Sequence, residues 1–139
     1  MKSTEDMKAF IRRAAEEVWN KGNMDVAGEY FSPNLIFHYS EGDIRGIENM
    51  KQYILGVRSA FPDFKLSPED QIAEGNTEVS RFTISGTHKG EFNSIPPTGK
   101  MFSTTSIAIH KFTDGKISEV WSQSNDLGLL QQLGIIPSS

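Results

Sequence analysis

Close to Phe64 the hydrophobic period of this chain changes from 3.6 residues to 2, which restricts it to folds that lay a helical half against a sheet half. Ahead of the switch, Met7, Phe10, Ile11, Ala14, Ala15, Val18 and Trp19 fall on one face of a predicted helix. Ser3 or Thr4 can cap it, Glu5 and Asp6 suit the positive end of its dipole, and Asn20-Lys21-Gly22 stops it. A short second helix is expected behind Asn23 or Asp25, with Val26, Tyr30 and Phe31 inward and Ser32-Pro33 ending it. Leu35 to Tyr39 reads as a strand. A third helix opens near Gly46 and carries Ile47, Met50, Tyr53, Ile54, Val57 and Phe61 at helical spacing until Pro62 ends it.

Beyond the switch, strands are expected at Lys65 to Ala73, Thr77 to Thr87, Phe102 to Phe112 and Lys116 to Gln123. Glu74-Gly75-Asn76 and Thr113-Asp114-Gly115 read as hairpin turns, and a loop from Lys89 to Lys100 separates the middle pair. A last short helix, Leu127 to Leu133, ends at Gly134. The order predicts an α+β fold, a single domain over residues 1–139. In it a curved, cone-shaped, mixed but mainly antiparallel sheet closes over about three N-terminal helices as an α+β barrel.

Composition narrows the function. A net charge of −4 with no run of Lys or Arg argues against nucleic acid. No stretch approaches the roughly 20 apolar residues of a spanning helix, and the start of the chain lacks a signal-peptide apolar segment, so no membrane and a cytoplasmic location are expected. Without cysteine there are no disulfides, thiolate nucleophiles or cysteine zinc sites. His38, His88 and His110 sit on separate strands without metal-ligand spacing, and no phosphate-cradling or nucleophile-elbow motif occurs, so no metal and no cofactor is expected.

A curved sheet over helices leaves a wide end that side chains or a ligand must fill. Trp19, Phe37, Tyr53, Phe61, Phe82, Phe92, Phe102 and Trp121 can supply core or pocket wall. His38, in the apolar strand Leu35-Ile36-Phe37-His38-Tyr39, is a candidate for proton transfer in the cavity or for a satisfied structural role. His88 can face a cavity or water at its strand end, and His110 reads as a surface residue near a hairpin turn. Glu119 and Asp126 are candidate general bases if buried. Their alternatives are a cross-strand pair of Glu119 with Lys111 and a helix cap by Asp126. Arg81 can bind a carboxylate or enolate if it faces the cavity, and is solvated if it does not.

Several stretches together resemble the SnoaL-like polyketide cyclases and ester cyclases, in the superfamily of nuclear transport factor two and ketosteroid isomerase. They are Glu17-Val18-Trp19-Asn20-Lys21-Gly22-Asn23, Tyr30-Phe31-Ser32-Pro33, Ala60-Phe61-Pro62-Asp63 and Gly86-Thr87-His88-Lys89-Gly90-Glu91-Phe92. Ile95-Pro96-Pro97-Thr98-Gly99-Lys100, Asp114-Gly115-Lys116-Ile117 and Leu130-Gln131-Gln132-Leu133-Gly134 follow in order. The resemblance implies a cone-shaped cavity, frequent dimerisation through the sheet, and cofactor-free chemistry on small hydrophobic carbonyl compounds. In such cyclases a carboxylate assists proton removal beside a carbonyl and the enolate closes a ring. Aligned without gaps, the catalytic aspartate falls on Ser122, its assisting histidine on Ala108, and a second aspartate on Asn125, one residue before Asp126.

Three functions follow as alternatives. One is a cyclase, isomerase or lyase acting on a small apolar carbonyl compound, with His38, Asp126 and Glu119 as catalytic candidates and Trp19, Tyr53, Phe61, Arg81, His88, Trp121, Ser122 and Asn125 around the substrate. Another is a non-catalytic carrier of a small hydrophobic molecule, and the third a partner-binding domain that docks through its sheet. A homodimer is expected, because Ile107, Ile109 and Trp121 gather on one face of the sheet.

Overall fold

A computed structural model describes residues 2–137. Helix α1 spans Thr4–Ala14 and opens with a reciprocal cap: Ser3 Oγ accepts from the Asp6 N–H at 3.0 Å, and Asp6 Oδ2 accepts from the Ser3 N–H. Its apolar stripe, Met7, Phe10, Ile11 and Ala14, is buried. The helix widens into a π-helical segment, Ala15–Asn20, which carries buried Val18 and half-buried Trp19, and the chain turns at Gly22 with φ +65°. A 3₁₀ turn, Met24–Val26, capped by Asn23, leads into α2, Ala27–Tyr30.

Strand β1, Phe31–Tyr39, begins four residues before the predicted strand, and Ser32-Pro33 lies within it. The proline is tolerated because pairing with the last strand skips from Phe31↔Ile117 to Ile36↔Glu119, so no ladder bond needs its missing N–H. A hairpin through Ser40-Glu41 leads to β2, Gly42–Arg45, which the sequence reading lacks; only one of its residues is even half-buried, so no alternation marks it. Helix α3, Ile47–Ala60, buries Met50, Ile54 and Ala60. Then come β3 (Lys65–Glu74), β4 (Thr77–Thr87), β5 (Met101–Thr113), β6 (Lys116–Ser124) and α4 (Asp126–Gln132). Both hairpin turns fall where expected. Gly75 has φ +60°, and Asp114 and Gly115 have φ +51° and +78°, the positive pair that a type I′ hairpin turn requires.

The six strands form one sheet in the order β2-β1-β6-β5-β4-β3. β1 and β6 run parallel and every other pair antiparallel. The fold is α+β with a mixed, mainly antiparallel sheet, but the expected barrel is not formed, since β2 and β3 remain the two edges. Helix side chains occupy the place where β3 would meet a closing strand. The Asn20 amide pairs with both backbone groups of Leu66, Nδ2 donating to the carbonyl at 3.0 Å and Oδ1 accepting from the N–H at 2.7 Å. Gln71 Nε2 donates to the Lys8 carbonyl at 2.9 Å. The Asn20 pair satisfies Leu66 on an edge that would otherwise invite another strand, and the Gln71 bond ties a β3 side chain to α1.

Candidate functional site

Strand β5 alternates without a break: Phe102, Thr104, Ser106, Ala108, His110 and Phe112 are buried, and the residues between them are exposed. On β4 the inward set is Glu78, Ser80, Phe82, Ile84 and Gly86. On β6 a bulge at Ser118, between Lys111↔Glu119 and Phe112↔Ile117, turns Val120, Ser122 and Ser124 toward the helices. These inner faces, with Trp19, Phe37, Tyr53 and Phe61, enclose a cavity of about 140 Å³. A cavity of this size holds about one aromatic ring, so a larger ligand extends toward solvent. A smaller apolar extension of about 30 Å³ shares Trp19, Phe37, Leu66, Phe82, His110 and Val120 with it and reaches Ile11 and Met50.

Among the residues singled out from sequence, Trp19, Tyr53, Phe61, Ser122 and Asp126 line this cavity. Ala108 and Ser122 stand directly opposite each other in the β5–β6 ladder, and both contribute to its wall. The two positions matched to the cyclase acid/base pair are therefore neighbours inside the cavity, without an ionisable group on either. Burial raises the Tyr53 phenol well above its ordinary pKa, with smaller contributions from Tyr39, Glu41 and Asp126, so it remains a protonated donor. Ser124 Oγ donates to Ser106 Oγ at 3.0 Å on the same wall.

Other candidates stand elsewhere. His38 does not point into the cavity: Leu35 and Phe37 take the inward positions of β1, and His38 lies on the opposite sheet face, stacked on Trp121 with centroids 5.4 Å apart. Its Nε2 meets Glu119 Oε2 and its Nδ1 meets Asp43 Oδ1, each at 2.7 Å. The Glu119 hydrogen bond, then the Asp43 one, raises its pKa above the ordinary histidine value. Glu119 is accordingly no base in the cavity; it sits opposite Lys111 in the ladder but bonds His38. Trp121 is exposed on that outer face. Arg81 also faces outward, its Nε and Nη2 both donating to Asp70 Oδ2.

His88 is completely buried beside Phe61 and Phe92 but is not part of the cavity wall. Its Nδ1 accepts from the Thr98 N–H at 3.2 Å, its backbone N–H donates to the Lys100 carbonyl, and its carbonyl accepts from Gly99. It fastens the two ends of the Lys89–Lys100 loop, whose Phe92 does reach the cavity. The other end of that anchor is the Ala60 carbonyl, which accepts from the N–H groups of Lys89 and Gly90. Asp63 accepts from both the hydroxyl and the N–H of Thr87, two bonds that hold its pKa below the usual carboxylate value. Asn125 caps α4 by accepting from the Gly128 N–H at 2.9 Å. The Gly-Thr-His and Pro-Pro-Thr-Gly stretches are thus explained by loop anchoring.

The sequence reading missed His110. It is not at the surface: it lines both the cavity and its extension, with 8% of its area exposed. Its Nδ1 meets Glu78 Oε1 at 2.8 Å, and Glu78 is wholly buried. Glu78 Oε2 accepts from Ser80 Oγ and, at 2.8 Å, from Gln71 Nε2, whose own Oε1 accepts from Arg12 at 2.8 Å. The signal was parity. Phe82 and Ile84 mark even-numbered positions of β4 as inward, and Phe102 and Phe112 do the same for β5, so Glu78, Ser80 and His110 follow them inside.

A family model described as SnoaL-like polyketide cyclase matches residues 9–133. Aklanonic acid methyl ester cyclase AcmA of Streptomyces galilaeus is 30% identical over 132 residues, covering 91% of this chain and 89% of its own. Among solved structures, TsrD from Streptomyces laurentii aligns at a TM-score of 0.89 with 27% identity, over 98% of this chain and 100% of its own. AclR of Streptomyces galilaeus, described as a candidate hydroxylase, aligns at 0.85 with 28% identity, over 99% of this chain and 86% of its own.

Proposed function

The chain belongs to the SnoaL-like polyketide cyclase family, and on that premise we propose that it is a cofactor-free enzyme moving a proton beside the carbonyl of a small apolar compound. The observation that carries the reading is the make-up of the cavity wall. Aromatic side chains surround a few groups able to donate or take a proton: Tyr53, Ser106, His110, Ser122, Ser124 and Asp126. An apolar enclosure strengthens each such interaction, because no bulk water competes for a developing enolate. Ser122 and Ala108 stand where the resemblance assigns the carboxylate and histidine of ring closure. The proposed reaction is therefore enolisation followed by isomerisation or elimination, with any ring closure using a different base.

The same reading includes a homodimer. Its support is an apolar strip on the outer sheet face, where Ile109 pairs with both Trp121 and Val79, Val79 pairs with Ile72, and Ile107 lies two residues along β5. A carrier of the same small molecules is the alternative, and one experiment separates the two. The protein is titrated calorimetrically with 2-tetralone, a one-carbonyl aromatic ketone, and loss of the ketone's α-proton NMR signals is then followed in heavy water. The enzyme reading expects binding together with exchange well above the buffer rate; binding with exchange at the buffer rate would establish the carrier in its place.

A further inference from the structure

We infer that His110 is the proton acceptor of this cavity and that Glu78 is its positioning residue, an acid/base pair displaced from the Ser122 and Ala108 positions to the neighbouring strand pair. The inference rests on the enzymatic reading above and adds the residue, the atom and the part of the substrate involved.

Three features of the pair argue for it. Glu78 is held by three groups that can act as donors toward it: the His110 ring, the Ser80 hydroxyl and the Gln71 amide. A carboxylate with its oxygens so occupied is an acceptor only, which makes His110 Nδ1 the protonated nitrogen. In the neutral ring Nε2 then carries the free lone pair. Among the described residues Nε2 has no hydrogen-bond partner, while its ring borders both the cavity and the apolar extension. A buried carboxylate and imidazole are also a poor choice for stability alone. Desolvating such a pair often cancels what its attraction returns, and apolar side chains of the same volume hold a core at least as well.

The chemistry closes on these atoms. The substrate's α-carbon to hydrogen bond breaks, its proton bonds to His110 Nε2, and its electron pair moves into an enolate whose oxygen takes the negative charge. The imidazolium that forms faces the Glu78 carboxylate, so the charge separation is stabilised where it arises. When solvent replaces that proton by a deuteron before it is delivered to the same carbon the result is exchange, and delivery to another carbon is isomerisation. Tyr53, protonated because it is buried, and the hydroxyls of Ser106 and Ser122 are the donors the wall offers to the enolate oxygen. The extension past His110 is lined by Ile11, Phe31, Met50 and Ile117. The substrate class is accordingly an enolisable ketone or ester with an apolar group on the far side of its acidic carbon.

The test uses the full chain and 2-tetralone in heavy water. In His110→Gln the amide can still donate to Glu78 but cannot serve as a base, and exchange should fall by about 10²-fold or more. Ketone affinity and melting temperature should stay near wild type. His110→Ala should lose exchange equally and regain a measurable part on addition of free imidazole, a rescue that a purely structural histidine would not give. Glu78→Gln should lower kcat for exchange more than it changes KM. A folded His110→Gln variant that exchanges 2-tetralone at the wild-type rate overturns the inference and leaves the enzymatic reading intact. Wild-type protein that binds the ketone without exchanging it removes both.

Discussion

Replacing Gly90 by alanine tests how the wall of the cavity is held. A Cβ at Gly90 would lie 2.3 Å from the Ser59 carbonyl oxygen and 3.1 Å from its carbon, both backbone atoms that no rotamer change can move aside. Restoring ordinary contact requires a shift of roughly 1 Å between the loop and the end of α3. The Lys89 and Gly90 N–H groups donate to the same Ala60 carbonyl, at 2.9 and 3.0 Å, and do not both survive such a shift. Each bond has a net worth of about 1 kcal/mol. Phe92, which packs edge-on against Phe61 at 5.2 Å, moves with the loop and adds about 0.5 to 1 kcal/mol. The expected loss is about 1.5 to 3 kcal/mol, which for a domain of this length lowers Tm by about 5 to 10 °C. Scanning calorimetry on Gly90→Ala measures it, and Gly56→Ala is the control. Gly56 lies within α3 with nothing within 4 Å of a new Cβ, so that variant should melt at or slightly above wild type. A Gly90→Ala melt within about 2 °C of wild type would refute the loop-anchoring argument.

Two further outcomes concern the outer face of the sheet. The raised pKa of His38 means that its stabilising contribution is fully present below its ordinary value of 6.5 and is lost as pH rises through the folded value. Urea melts should therefore find His38→Gln most destabilised relative to wild type just below pH 6.5, with the gap narrowing as pH rises above that value. A gap that does not change with pH sinks the assignment of charge to that ring. For the proposed homodimer, light scattering at micromolar concentration should give twice the chain mass for wild type and the single mass for Ile107→Lys, since Ile107 is 51% exposed in the single chain. A single-chain mass for wild type would show that the apolar strip has another purpose.

The amino-acid sequence by itself determined the helical half, the sheet half and the boundary between them, because helix and strand periods are local properties of side-chain direction. It determined the hairpin turns for the same reason: Gly75, Asp114 and Gly115 carry positive φ angles that follow from their own chemistry and that of their neighbours. Parity was also available. Phe37 and Leu35 already assign His38 to the opposite face of β1, and Phe82 and Phe112 assign Glu78 and His110 to the inside.

Tertiary structure alone decided what those side chains meet. Counting by twos from buried Ile117 would put Glu119 and Trp121 inside; the bulge at Ser118, formed in pairing with β5, reverses the remainder of β6 and exposes Trp121 while turning Ser122 inward. Parallel pairing of β1 with β6, strands nearly eighty residues apart in sequence, brings His38 beside Glu119 and Trp121 instead of a ligand. The antiparallel register of β4 with β5 sets Glu78 opposite His110, across 32 residues of chain. Side-chain direction is written locally, but the identity of the neighbour depends on strand register, which the whole sheet settles together.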